Sequence, residues 1–385
     1  MNPSLILVSV SLLIWGIGEG MFWYFQPIYL HQLGADTMTI AGVFSGVGIA
    51  MMIAHIPAGW ISDRIGRRPV IRLAWLVGVV SAWIMALAGN LQIFIVGMVV
   101  YGLTAFVSSP LFSYVTAAKG NMTSARAMSI TNAAFNFGAI IGPITGGWIA
   151  SQFGLRMIYY VIACIFVLSL VILFYIKAQP RDIHDPDQPP TRLFANRKYL
   201  MILGLTFTSV FVMYLAQPLT PNFLETEKGL TLSQIGVIGS IGSIGSVVLN
   251  LVLGTMNSRL GFILAQILVG LFAFLLWKGN NVYWYGIGYF LLGGYRAARM
   301  LIFAQVSSFI HQAQMGLAYG LTDTLNSLAI ILSPLLAGWL YSQNPESVFS
   351  VALVLIGISV IGGILFTPKA PTEPSSKVLV GNMEK

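Results

Sequence analysis

Charge is scarce in this chain. Only 8% of its 385 residues are Asp, Glu, Lys or Arg, against roughly 25% in a typical soluble domain. That shortage excludes an ordinary water-soluble fold. Cysteine is scarcer still. Cys164 stands alone, so no intrachain disulfide can form, and a lone thiol in an apolar segment is expected to serve packing. One cysteine and four histidines make no Cys–His metal cluster. No phosphate-cradling glycine loop with its lysine occurs, which leaves ATP-driven pumping without support. No nucleophile–base constellation suggests an enzyme, and no cofactor is expected.

What remains is apolar. Hydrophobic residues make up 57% of the chain. A hydrocarbon core of ~30 Å needs about 20 apolar residues per helix. Twelve such segments follow one another, at about 5–30, 38–62, 69–88, 91–116, 127–151, 156–176, 199–224, 231–256, 260–277, 281–309, 316–341 and 347–366. Lipid offers no hydrogen bonds, and the pattern lacks strand alternation, so each segment is expected to be helical. The fold class predicted is an all-α polytopic membrane protein. The opening MNPSLILVSVSLLIWGIG lacks a basic leading region, and apolar sequence resumes directly after it. It reads as a first span rather than a cleaved leader.

The net charge of +8 could point to nucleic acid, but its placement argues otherwise. With the N-terminus inside, fifteen lysines and arginines fall on cytoplasmic stretches, and only Arg156, Lys228 and Lys278 fall outside. This asymmetry is the positive-inside signal. It predicts an integral protein of the plasma (inner) membrane with both termini cytoplasmic, surrounded by lipid and not bound to nucleic acid.

Residues 177–198, KAQPRDIHDPDQPPTRLFANRK, form the long polar interior stretch expected of a solvated linker. The organisation predicted is 1–176 as one six-helix bundle, 177–198 as cytoplasmic linker, 199–366 as a second bundle and 367–385 as a cytoplasmic tail. The bundles repeat. PIYLHQLGADTMTIAG (27–42) matches PNFLETEKGLTLSQIG (221–236), GWISDRIG (59–66) matches GTMNSRLG (254–261), and GPITGGW (142–148) matches SPLLAGW (333–339). All three offsets lie between 191 and 195, as expected for parallel halves rocking about a central site.

GWISDRIGRRPVI (59–71) gathers Gly59, Asp63, Arg64, Gly66, Arg67 and Arg68 at the cytoplasmic turn after segment two. Such a cluster can latch one conformation or simply anchor topology. It resembles the loop motif of the major facilitator superfamily. The second copy has Ser258 in place of the aspartate, so the resemblance implies a full latch in the first half only. Over nearly the whole chain it implies a monomer of two six-helix bundles, alternating access, and a cavity lined by segments one, four, seven and ten. GAIIGPITGG (138–147) resembles the glycine–proline motif of the drug/proton antiporter branch. Gly138, Gly142, Gly146 and Gly147 make a small-residue face, with Pro143 as a bend point; ordinary helix packing explains them equally well. Segment four departs from that branch. Met98 stands where its antiporters often carry an arginine, and no charge occurs between Leu91 and Ala118.

Ionisable groups at membrane depth are few: Glu19, His55, Arg296, Arg299 and Asp323. Each is a functional candidate by default. Trp15, Glu19, Trp23 and Gln26 follow the spacing of one helical face. An acid between tryptophans suits a carboxyl that takes up a proton. The cavity segments add Tyr101 and Ser108, Phe211, Tyr214 and Gln217, and Tyr285 and Tyr289, a mix suited to a partly apolar organic substrate. His55 reads better as a satisfied buried histidine. Arg296 and Arg299 pose a choice. They can hold an organic or phosphorylated anion, or they can pair with the acids, Arg296 with Glu19 across the halves and Arg299 with Asp323 as a buried charge network. The leading expectation is a proton-coupled exporter of small amphipathic compounds. An organic-anion carrier is the runner-up, and a membrane-embedded enzyme or transport-dead sensor is the remote alternative.

Overall fold

The computed structural model describes residues 2–178, 197–307 and 315–366; the side chains of 55–64, 109, 124–125, 307 and 315–317 lie outside the described residues. The linker interior and the C-terminal tail also lie outside them. Among the described residues there is helix and no strand. The first half holds α1 (Pro3–Trp23), α2 (Gln26–Gln32), α3 (Thr37–Ile65), α4 (Arg67–Leu87), α5 (Leu91–Leu103), α6 (Ser108–Ala117), α7 (Ser124–Phe153) and α8 (Leu155–Phe174). The second holds α9 (Arg197–Tyr214), α10 (Thr220–Thr226), α11 (Leu232–Gly254), α12 (Ser258–Lys278), α13 (Val282–Leu292), α14 (Gly294–Ser307), α15 (Met315–Gln343) and α16 (Ser347–Phe366).

Ten runs of helix among the described residues are long and apolar enough to cross a membrane. The expected segments seven and ten are missing from that set because each is broken into two pieces. Segments one and four are interrupted as well, so all four segments expected to line the cavity depart from a continuous α-helix. The local causes are visible. Pro27 follows the break after Trp23, and Pro218 and Pro221 flank the one after Tyr214, where a proline cannot donate to the preceding turn. The freed polar groups are taken up locally. Gln217 Nε2 donates to the Met213 carbonyl at 2.8 Å, and Thr104 Oγ1 donates to the Tyr101 carbonyl at 2.7 Å beside the 3₁₀ turn Thr104–Val107. In segment ten the break falls at Gly293, where a Cβ would stand 2.3 Å from the Gly245 carbonyl carbon. Irregular backbone at membrane depth is tolerated only against protein or a water-filled space.

Each half packs through small residues. A Cβ on Gly138 would lie 2.1 Å from the Leu13 carbonyl oxygen, and one on Gly142 2.4 Å from that of Ile17. These glycines, with Gly146 against Met21, therefore let α7 press onto α1 backbone to backbone. The loops between segments one and two end the same way in both halves, with Gly34 and Gly229 at φ of +93° and +67°. The glycines of the 59–66 and 254–261 repeat do not share a role. Gly66 (φ +92°) caps α4, whereas Gly261 lies inside α12 against the Leu253 carbonyl. Cys164, expected in packing, is instead exposed on α8 beside Val167 and Leu168, on a face suited to lipid.

The halves meet chiefly through α7 on α11, α3 on α15 and α2 on α10. The contacts fall in the part of each helix remote from the chain termini, hereafter the far end. Gly147 would place a Cβ 2.7 Å from the Leu232 carbonyl oxygen, and Gly338 would place one 2.6 Å from Ala41 Cβ. The far end is closed.

Candidate functional site

The first wall is an aromatic stack inside the N-terminal half. The Trp15 ring lies face to face with Phe166 at 3.9 Å between centroids and stacks more loosely on Tyr101 at 6.3 Å. Its six-membered ring fills the space where a Cβ on Gly78 would sit, 2.1 Å from Cη2. The sequence placed Trp15 on the cavity. The structure corrects this: Trp15 is buried in the bundle, against α4 and α8. One turn further on, the Glu19 carboxylate lies beside the Tyr101 hydroxyl and the Trp15 indole N–H. The stack is thus buried within the half and borders Glu19.

The expected single face from Trp15 to Gln26 also ends early. The helix breaks after Trp23, which is exposed, and Gln26 restarts in α2 as a buried residue. At the break sits a residue the sequence reading missed. Tyr24 crosses to the other half, where its ring lies 6.0 Å from that of Tyr289 and fills a notch between Gly239 and Gly242 on α11. Its hydroxyl reaches toward Ser243. The sequence offers one signal for it, an aromatic beside a helix-breaking proline.

The second wall carries the arginines. Arg296 is exposed on α14 and interacts electrostatically with both Glu19 and Tyr24. Among the described residues it has no carboxylate within 4.0 Å. Arg299, one turn along, has Nη2 3.7 Å from Asp323 Oδ1 on α15. It also faces Tyr214 and Tyr295, whose rings lie 5.8 Å apart. The pair was expected to be buried; its side chains are 34% and 61% exposed. Both charges are therefore accessible at their surface and not sealed in a core. Asn132, at the place in α7 that matches Asp323, is exposed too.

The remaining candidates divide. Tyr289 is buried between Tyr24 and Phe272. Tyr214 and Phe211 are half-buried on α9, with Phe211 stacked on Phe207 at 6.0 Å. Gln217 and Ser108 use their side chains on local carbonyls, Ser108 on Ala105 at 3.1 Å. Tyr285 is a correction. It is buried near the far end, and its hydroxyl donates to the Gly279 carbonyl at 2.8 Å, so it ties down the turn into α13 instead of lining a cavity. Of the latch motif, the side chains of Gly59, Asp63 and Arg64, like that of His55, lie outside the described residues. Gly66, Arg67 and Arg68 form the turn into α4. Among the described residues no group of three or more His, Cys, Asp or Glu could hold a metal ion.

Two pseudo-equivalent helical bundles, closed at one end and carrying paired charges and aromatic rings at membrane depth, define a membrane transporter. Residues 8–329 and, in an overlapping match, 202–382 fit the Major Facilitator Superfamily pattern. The chain is 22% identical over 388 residues to the quinolone resistance protein NorA of Staphylococcus aureus, covering 95% of this chain and 96% of that one. It is 25% identical over 383 residues to multidrug resistance protein 2 of Bacillus subtilis, covering 92% and 93%. In structure it is similar to a mutant of the nucleoside transporter NupG, with a TM-score of 0.80 at 16% identity over 94% of this chain and 98% of that one. The chain belongs to the Major Facilitator Superfamily.

Proposed function

We propose that this transporter is a proton-coupled exporter of small amphipathic compounds, with Glu19 as the proton carrier. The observation that carries this reading is the setting of Glu19. Its carboxylate sits against an aromatic wall, reached by two neutral donors, and sees the cation of Arg296 from the opposite half. Protonating it removes the attraction to Arg296 and loosens one half from the other. Binding of a substrate beside Trp23, Tyr214 and Arg296 then competes with protonation, which couples the two fluxes. The names of the relatives, a quinolone resistance protein and a multidrug resistance protein, support export of drug-like molecules. The absent segment-four arginine leaves Arg296 to serve as the counter-charge that moves.

The charge asymmetry supports a plasma-membrane protein with cytoplasmic termini. In that orientation the sealed far end faces outward and the site is open inward. We read the protein as a monomer, with residues 177–198 as the joint between its halves.

The test uses everted vesicles. An imposed pH gradient, acid inside, should drive accumulation of a fluorescent amphipathic probe, and a protonophore should abolish it. Accumulation indifferent to the protonophore would overturn proton coupling. The second reading, a carrier of organic anions, has one observation in its favour: Arg296 is exposed and has no carboxylate within 4.0 Å among the described residues. An exposed guanidinium matches a carboxylate or phosphate with paired donors.

A further inference from the structure

Two long helices carry an internal proline where they cross the opposite half: Pro143 in α7 and Pro334 in α15. A proline inside a helix withholds one donor and strains the turn before it, so carbonyls there look for other partners. In each helix a serine from the other half supplies one. Ser240 of α11 donates to the Ile140 carbonyl at 2.6 Å and accepts from the Ile144 N–H at 3.2 Å. Ser45 of α3 donates to the Ile331 carbonyl at 2.7 Å, with a weaker share to its own Ala41 at 3.0 Å. Each acceptor is the carbonyl three residues before the proline. Both serines are buried, at 1% and 5% exposure.

The two contacts are copies of one another. Ser240 follows Ser45 by 195 residues, while Ile331 and Pro334 follow Ile140 and Pro143 by 191. Those values fall within the offset of the internal repeat. Small residues repeat alongside, with Gly147 on Leu232 and Gly236 in one crossing and Gly338 on Ala41 in the other. Both crossings belong to the far-end seal.

We propose that Ser45 and Ser240 are a matched pair of clasps that set how readily the far end opens. Each hydrogen bond joins the two halves, so the halves cannot part at that end without releasing both. When they part, the prolines leave carbonyls that the opening cavity hydrates, which makes the release reversible. The inference rests on family membership and geometry, and is independent of the proton and of the substrate.

The test is a labelling rate. Ile40, almost fully buried at the far end of α3, becomes the reporter as Ile40→Cys in a Cys164→Ser background. The purified protein is exposed to a maleimide, whose rate of attachment follows the population of the opened state however small it is. Interhelical side-chain hydrogen bonds in membrane proteins average about 0.6 kcal/mol, which converts to about threefold in an equilibrium. Ser45→Ala and Ser240→Ala should each raise the rate about threefold, and the double variant about tenfold if the clasps act independently. Ser9→Ala removes a buried serine that bonds only within α1, to Leu5, and should leave the rate unchanged. A second reporter, Ala163→Cys in the core of one half, separates opening from general loosening and should stay unreactive. The proposal is overturned if the double variant labels at the parental rate, if Ser9→Ala accelerates it equally, or if the Ala163→Cys reporter speeds up alongside.

Discussion

Arg299 and Asp323 face each other at 3.7 Å, whereas Arg296, one turn earlier on the same helix, has no carboxylate within 4.0 Å among the described residues and lies in the field of Glu19 on the opposite half. We propose that Arg296 and Arg299 therefore have different tasks. One is held within its own half, and the other is shared between halves. A charge pinned by a neighbour cannot report on the far side of a cavity; a charge without a fixed partner can.

The pinned pair should contribute little to stability. Its side chains are 34% and 61% exposed, and exposed pairs are worth about 0–1 kcal/mol. Asp323→Asn should shift the melting temperature in detergent by no more than a few degrees while leaving Arg299 free to bind other acids. A melting loss of ten degrees or more would show that the pair is structurally critical.

Arg296 separates the two readings of the site. Under proton coupling, Arg296→Lys keeps the charge and should retain most gradient-driven transport. Under the anion reading, loss of the planar paired donors should weaken an anionic ligand by about tenfold or more. A thermal-shift series with carboxylate and phosphate compounds, run on both proteins, checks which occurs.

The motif glycines should fail in two distinguishable ways. A Cβ on Gly142 would stand 2.4 Å from the Ile17 carbonyl oxygen inside one half, so Gly142→Val should lower the yield of folded protein, as overpacking commonly costs 1–3 kcal/mol. Gly147 meets Leu232 and Gly236 across the seal. Gly147→Val should fold but favour the state open at the far end, read by faster labelling at Ile40→Cys. Equal loss of folded protein from both would contradict the division.

Glu225 should make the seal sensitive to pH. It lies on α10 at the far end, with His31 of α2 and Glu227 close by. Burial raises its pKa above the ordinary 4.5, and the charge of His31 partly opposes that. A raised value in the sealed state means that sealing favours the neutral acid. The stabilisation is complete below the ordinary value and is lost as pH rises through the raised one. Divided by the rate at a freely exposed cysteine, which removes the thiol's own ionisation, labelling at Ile40→Cys should therefore quicken as pH increases above about 4.5, and Glu225→Gln should flatten that rise. A rate that falls with pH would contradict the sign.

The helical class and the doubling were legible because hydropathy and a 191–195 offset survive without any contact information. The breaks in segments one, four, seven and ten were not. Pro27, Pro218, Pro221 and Gly293 mark three of them, but the apolar character runs straight across each. The site was legible in its charges, since so few acids and bases lie at that depth. It was less so in its aromatics. Spacing places Trp15 and Glu19 on one face, yet only the neighbouring helices decide that Trp15 sinks against Phe166 and Gly78 while Glu19 looks toward Arg296. Tyr285 and Tyr289 are likewise four residues apart, and one serves a turn while the other meets Tyr24.

The most direct measurement is transport by Glu19→Gln in sealed vesicles, scored with and without an imposed pH gradient. The substitution mimics a permanently protonated acid. Gradient-driven accumulation should vanish, while exchange of labelled for unlabelled substrate at equal pH continues. Accumulation that still follows the gradient in Glu19→Gln would contradict the role given to this carboxyl.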